Sequence, residues 1–463
     1  MAPSRLVLIE FNELSPALLD RFMKAGKLPS FQRFHDSSSV YVTDAGERGD
    51  ALMPWIAWPS IHSGLPFSKH GVLRLGNGRD LRVPGIGKIL SDAGHRVGIF
   101  GSMNLNYGTE LNGYVLPDPW DRIGKTLPAS LQPFFDVIAG QIKENSRCEP
   151  LTKRDAVKLA LFLAGHGISA GTIAGLLRQF AGERRDRGLF WRRASWRDAI
   201  GYDVFRHYNR ARDVRFATFY SNSTAHYQHH YWREFEPERF SEPALGESHP
   251  SLESAIEYGY RAMDALLARF MRDYADSRLV LATALSQEAD TKETFRYYRP
   301  INFGALLAFA QIENAAVKPV MSEQFHVDAA DEPGAIAVEG KLNQLHLLGE
   351  PALWVTREGS RVFAGARYLY QDADDDMLVR LSDAKRIRFG DLFYRMAATR
   401  SGMHHPDGAL WIRNGEHRVQ VERASILDIA PTILAHFDIA APSYMRGRDL
   451  AIPMEEFADA RFG

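Results

Sequence analysis

A single cysteine, Cys148, stands among the 463 residues, which excludes an intramolecular disulfide framework and a metal site built from cysteines. No apolar run reaches the roughly 18 residues that a membrane-spanning helix needs. The nearest stretch, Leu159 to Leu177, is broken by His166 and several glycines. Charge of one sign is also missing: 56 Lys+Arg against 57 Asp+Glu leave a formal net charge of −1. A dedicated nucleic-acid binder would be more basic, so no nucleic-acid partner is expected. There is no internal repeat and no long low-complexity tract. The start, MAPSRLVLIEFNEL, lacks a charged region ahead of a long apolar run and predicts no signal peptide, hence a cytoplasmic protein. What is there is ordinary globular composition, 45% hydrophobic and 24% charged. The length exceeds what one compact core supports, which predicts a large domain with insertions or two domains.

Residues 6–11 (LVLIEF) form an apolar run that ends in polar Asn12 and Glu13. The following stretch has helical spacing, with Pro16 suited to a helix start. The pattern returns along the chain. Ile86–Ala93 reads as a helix before the strand HRVGIFGSMN; VRFATFYSNST and RLVLATALSQE read as strands with polar ends; Ser254–Tyr274 reads as a long amphipathic helix. A short strand near Gly408–Ile412 precedes a helix over Ser425–Phe437. Strand, polar loop and helix in repetition predict an α/β fold with a mainly parallel central sheet and flanking helices. The ligand site is then expected at the carboxyl ends of the strands. Two segments depart from this plan. Residues 125–199 read as a basic helical insertion, and residues 311–395 as a smaller α+β insertion with acidic turns such as Asp372–Asp376. The core is thereby assigned to 1–124, 200–310 and 396–463.

Five segments, in order from residue 6 to residue 450, resemble the alkaline phosphatase superfamily in its type I phosphodiesterase/nucleotide pyrophosphatase branch. LVLIEFNELSPALLDRFMKAGKLPSFQRF is similar to that branch's opening strand, Asp-Gly turn and helix. PWIAWPSIHSGLPFSKHGV is similar to the nucleophile segment, and SNSTAHYQHHYW to a D-x-x-x-H-x-x-W segment. SGMHHPDGALWI is similar to a late G-x-H-x-P-x-G segment, and SILDIAPTILAHFDIAAPSYMRGRDL to the closing helix and its tail. The resemblance implies an alkaline-phosphatase-like fold. It also implies two divalent metals held by Asp and His, with a Thr or Ser nucleophile. Position by position, that set is altered. The first-strand Asp falls on Asn12, and the nucleophile on Pro54, with Met53 beside it. The Asp-His pair after the fifth strand falls on Leu285 and Ser286, or with a slip on Gln287 and Glu288. The Asp of the other metal site falls on Ala225, while its histidine is present as His229 and the late histidine as His404, or His405 by a slip. A covalent phospho-enzyme is therefore not expected.

Beside that resemblance, the residues have their own chemistry. Glu10 and Asn12 follow the first strand, where an α/β site is lined. Glu13 reads as a cap for the next helix. In a helix His226, His229 and His230 share one face. With His404 they offer imidazoles for one divalent cation, zinc or manganese. Trp55, Trp58, Asn104, Asn222, His226, Ser286, Gln287 and His405 supply aromatic faces and polar groups suited to a sugar or nucleotide. Glu10 or Glu288 is the candidate general base. The stretch 178–197 carries seven arginines with Phe190, Trp191 and Trp196, a composition suited to a membrane surface or an anionic substrate. Three readings stay open. The first is an enzyme, transferase-like or phosphoester-handling, acting on a phosphorylated or nucleotide-sugar precursor with a glycan or lipid-linked acceptor, at the inner face of a membrane through 178–197. The second is a metal-dependent phosphodiesterase with a shifted ligand set. The third is a non-catalytic binding protein.

Overall fold

The first strand, Leu6–Phe11, is buried along its whole length, which a continuous apolar run requires at the centre of a parallel sheet. It pairs in parallel with Phe216–Ser221 on one side and Arg278–Ala282 on the other. The computed structural model describes residues 5–108, 110–143, 152–241, 249–292, 295–320, 323–396 and 401–450. Cys148 and the last part of the third core segment lie outside them. Among the described residues the central sheet has nine strands. Across it run residues 418–419, 38–44, 407–413, 278–282, 6–11, 216–221, 97–100 and 113–116, with 424–425 beside 38–44. Asp407–Arg413 is antiparallel to both of its neighbours; the other pairings are parallel. This is the mainly parallel α/β fold predicted above.

Side chains alternate across a strand, and the first strand feeds two cores. Val7, Ile9 and Phe11 meet the helices Pro16–Lys24, Arg193–Ala211 and Ala255–Asp273. Leu6 and Leu8 meet the helices Pro54–Ser63, Ile86–Asp92 and Ile429–His436. The helices Lys153–Gly165 and Ala170–Arg185 belong to the basic insertion. Between residues 316 and 388, two four-stranded antiparallel sheets enclose a separate core that includes Leu306, Phe325, Leu342, Leu353 and Phe389.

Two local expectations need correction. The segment after Arg278–Ala282 is not one strand with a polar end. Ala284 adopts φ 61°, and a new strand starts at Ser286. His404 and His405 are not in a loop. Gly402–His405 is a strand, paired antiparallel with Ser286–Ala289, because the turn at Ala284 frees the second segment to find a partner outside the main sheet.

Candidate functional site

At the carboxyl end of the first strand the backbone keeps bonding to both neighbours. Asn12 N–H donates to Ser221 O (3.0 Å) and Glu13 N–H to Thr283 O (3.1 Å). Glu13 then takes a left-handed conformation, φ 62°. That backbone costs a non-glycine residue on the order of 1 kcal/mol or more and persists only where surroundings impose it. Here the amide of Gln228 donates to Glu13 O (2.7 Å), and Tyr260 OH donates to Gln228 Oε1 (2.8 Å). The turn carries the Glu13 side chain inward to 2% exposure. It does not cap the following helix, whose N-cap position is Ser15.

Four side chains converge on the Glu13 carboxylate. Asn12 Nδ2 donates to Oε1 (2.7 Å), and Gln287 Nε2 donates to Oε2. His229 Nε2 lies 3.2 Å and His404 Nε2 3.6 Å from Oε2. Burial alone would raise the Glu13 pKa. The charges of His404 and His229 and the hydrogen bonds from His229 and Gln287 outweigh it, and hold the group at about 2 against its ordinary 4.5.

Each of these side chains is placed by the local fold. Gln287 and His404 are directly opposed in the two-stranded ribbon, so both project from one face. The ribbon docks on the helix Ser223–Phe235, which breaks at Tyr231. Ser401 Oγ accepts there from Trp232 N–H (2.9 Å), and Ser401 N–H donates to His229 O (2.7 Å). His229 Nδ1 lies 3.2 Å from Gly402 O, and a carbonyl oxygen can only accept. Nδ1 therefore carries the proton. In the neutral ring Nε2 then presents a lone pair toward the Glu13 carboxylate. Two lone pairs at 3.2 Å repel, so a cation belongs between them: a second proton on His229, or a metal.

The residues fit a metal. Glu13, His229 and His404 offer ligand atoms within 4.8 Å of one another. One carboxylate oxygen and two imidazole nitrogens are a donor set that zinc accepts, with a fourth position left for water or substrate. Bonds of about 2.0–2.1 Å in a tetrahedron place donors roughly 3.3 Å apart. The observed 3.2 and 3.6 Å bracket that value.

The other sequence candidates fall in several places. Asn12 ties the site together. Its second N–H donates to Asn222 Oδ1 (2.7 Å), and its oxygen accepts from Trp58 Nε1 (2.8 Å). Trp58 is fully buried; Asn222 is exposed. Glu10 is fully buried on the face of the first strand that meets the helix Pro54–Ser63, 2.6 Å from His62 Nε2. Asn104 lies away from Glu13. Its amide donates to Trp55 O (2.8 Å) and Arg74 O (3.0 Å), and its oxygen accepts from Gly78 N–H (2.8 Å). The Trp55 ring bonds Leu73 O (3.1 Å). Ser286 is buried opposite His405, and Glu288 is exposed on the same ribbon. His405 Nδ1 accepts from Asp407 N–H (3.2 Å), and its half-buried ring lies on the ribbon face opposite His404. The three helix histidines do not act together. His226 and His230 pack edge to face at 4.6 Å, while His229 turns to His404 at 5.1 Å. Burial, the Arg197 charge and His229 push the His226 pKa down to about 3, so that ring is neutral.

The sequence reading left Glu13 outside the ligand set and found no carboxylate. The residue sits one place after the expected Asp. The signal was present: a second acid directly after the strand, which a left-handed turn can swing inward. Tyr220 was also missed. Its ring lies 5.7 Å from Trp58, and its hydroxyl donates to Asn222 Oδ1 (3.3 Å).

No family model and no curated protein sequence matches this chain. Solved structures similar to it include murine ectonucleotide pyrophosphatase/phosphodiesterase 5. That similarity has 11% identity, 96% of this chain and 97% of that chain covered, and a TM-score of 0.41. Wild-type alkaline phosphatase PafA gives 12% identity, 97% and 99% coverage, and a TM-score of 0.47. Phosphonoacetate hydrolase from Sinorhizobium meliloti 1021 gives 14% identity, 95% and 96% coverage, and a TM-score of 0.38. At these identities and TM-scores the similarities assign no family, activity, ligand or residue role to this chain.

Proposed function

We propose that the chain is a phosphoester-handling enzyme with one divalent cation held by Glu13, His229 and His404. The observation that carries this reading is the Glu13 carboxylate facing two imidazole nitrogens at 3.2 and 3.6 Å, with the Nδ1 proton of His229 committed to Gly402 O. A cation bound there supplies a Lewis acid for a phosphoryl oxygen. The protein's own residues do the rest. Gln287 and Asn12 hold the carboxylate in place, and Gly402 O sets the His229 tautomer. Asn222, exposed beside Asn12, is suited to hydrogen-bond a sugar or phosphate. The helix Pro54–Ser63 begins with Met53 at its N-cap and Pro54 at its first position, neither of which is a nucleophile. Transfer is accordingly direct to an acceptor hydroxyl or water, without a covalent intermediate on that helix. The substrate class is a phosphorylated or nucleotide-activated glycan precursor, with a glycan or lipid-linked acceptor. The setting is cytoplasmic, with the 178–197 surface resting on a membrane.

Elemental analysis of protein purified without chelator tests the reading. About one zinc or manganese per chain, lost in His229→Ala and in Glu13→Gln, is the expected result. Absence of stoichiometric metal, together with no cation binding in titration calorimetry, would overturn it. A metal-free binding protein is the second reading. It is favoured by the full engagement of the Asn12 amide, whose two N–H groups and oxygen are all spent inside the protein.

A further inference from the structure

A second group of two histidines and a carboxylate lies at the opposite end of the central sheet from Glu13. Glu13 follows the carboxyl end of the first strand. The antiparallel strand Asp407–Arg413 runs the other way, and Arg413 stands opposite Ser38, where a parallel strand begins. The loop after Arg413 folds onto the chain before Ser38. Asn414 N–H and Gly415 N–H both donate to Ser37 O (3.1 and 3.0 Å), and Asn414 Nδ2 donates to Ser39 Oγ (2.9 Å). This brings His417 against His35, 382 positions earlier in the chain, and against its neighbour Asp36.

His35, Asp36 and His417 offer ligand atoms within 4.8 Å of one another. His35 Nδ1 lies 3.3 Å from Asp36 Oδ1. That is long for a charge-assisted hydrogen bond, about 2.7–2.9 Å. It matches the roughly 3.3 Å between two donors on one tetrahedral zinc. The outer partners repeat the plan of the Glu13 cluster. There Gln287 donates to the carboxylate and Gly402 O holds the Nδ1 proton of His229. Here Gln32 Nε2 donates to Asp36 Oδ1 (2.8 Å), and His417 Nδ1 donates to His35 O (3.1 Å). The His417 proton is therefore on Nδ1, and Nε2 keeps the lone pair that a metal requires. The His35 ring is held edge to face on Trp411 (5.1 Å). The helix Pro29–His35 ends at this point, and the partial negative charge of its last carbonyls favours a cation.

We propose that His35, Asp36 and His417 form a second divalent-cation site, of the zinc class. Two imidazoles with one carboxylate suit zinc and disfavour magnesium and calcium, which take oxygen ligands. The ion ties the end of the helix Pro29–His35 to the residue before the edge strand Arg418–Val419. That strand pairs over two residues only, so the metal adds order where the sheet ends. Asp36 and His417 are exposed, so this ion exchanges with free metal and is read by titration rather than by the content of purified protein. The proposal does not depend on the reaction or the cation assigned to the Glu13 cluster.

The test is zinc titration of the chelator-treated full chain, read by calorimetry and by hydrogen exchange over residues 414–420. His229→Ala, in which the Glu13 cluster is broken, is expected to keep one saturable zinc, and zinc is expected to slow exchange over 414–420. Adding His417→Ala, at an exposed position, is expected to abolish both effects. Asp36→Asn is expected to weaken zinc at this site tenfold or more, and decides the matter should the double variant not fold. Magnesium and calcium are expected to leave exchange unchanged. Calorimetry on His417→Ala alone reports the Glu13 cluster. If that cluster holds no cation, wild type and His229→Ala bind zinc alike and His417→Ala still loses it, so the two readings fail separately. Equal zinc binding with and without His417 would overturn the proposal. So would zinc that binds to His229→Ala and leaves exchange over 414–420 unchanged.

Discussion

At the residue scale the molecule turns on Glu13, an acid whose ionised form is stabilised only in the folded chain. Its folded pKa of about 2 lies below its ordinary 4.5. A depressed carboxyl pKa contributes stability that is present above about 4.5 and is lost as pH falls toward 2. Metal-free wild-type protein should therefore lose melting temperature across that window. Glu13→Gln should show a flatter profile there and a lower melting temperature at pH 7. Parallel profiles for the two proteins would show that the carboxylate is not held by its histidines. The cation site has the opposite competitor: protons contend for the His229 and His404 nitrogens, so zinc affinity should fall as pH is lowered, with protons released on binding. Trp58 offers a quieter check. Trp58→Phe removes the donor to Asn12 Oδ1 and leaves a buried acceptor unsatisfied, for an expected loss of about 1–3 kcal/mol by chemical denaturation.

At the element scale the site depends on a ribbon docking against a helix, and one glycine permits the approach. A Cβ at Gly402 would stand 2.3 Å from Gln228 O and 2.6 Å from Gln287 Oε1. Gly402→Ala must push the strand Gly402–His405 off the helix, carrying His404 with it. The expected result is a tenfold or greater loss of cation affinity, with about 1–3 kcal/mol of destabilisation from overpacking. Cation affinity equal to the wild type would show that His404 is not a ligand. The same ribbon marks where sequence reading stops. The central strand Leu6–Phe11 is legible, because a strand buried on both faces is mostly apolar, here at every position but Glu10. His229 and His404 are legible as candidates by residue type and order. The pairing of Gln287 with His404 is not, because it rests on the positive φ of Ala284, a residue with no turn preference of its own. Nor is the role of Glu13 legible. Its direction is set by Gln228, more than two hundred residues away in the chain.

At the scale of the whole molecule, a net charge of −1 gives no long-range attraction to an anionic surface, so any membrane contact must be local. The structure concentrates what such a contact needs. Arg178, Arg184, Arg185 and Arg187 are exposed, and Ile173, Leu177, Phe180 and Phe190 are exposed beside them. Other arginines of the tract are turned inward: Arg193 pairs with Glu183, and Arg192 covers aromatic rings. Each basic residue near an anionic leaflet is worth about 1 kcal/mol at low salt. Four exposed arginines with an apolar stripe therefore predict binding that salt weakens by screening. Flotation with phosphatidylglycerol vesicles should carry the protein upward at low ionic strength and release it as salt is raised. Leu177→Glu, at a residue 64% exposed, should abolish flotation with little change in melting temperature. Flotation indifferent to lipid charge would remove the membrane surface from the function, while leaving the metal cluster to stand on its own test.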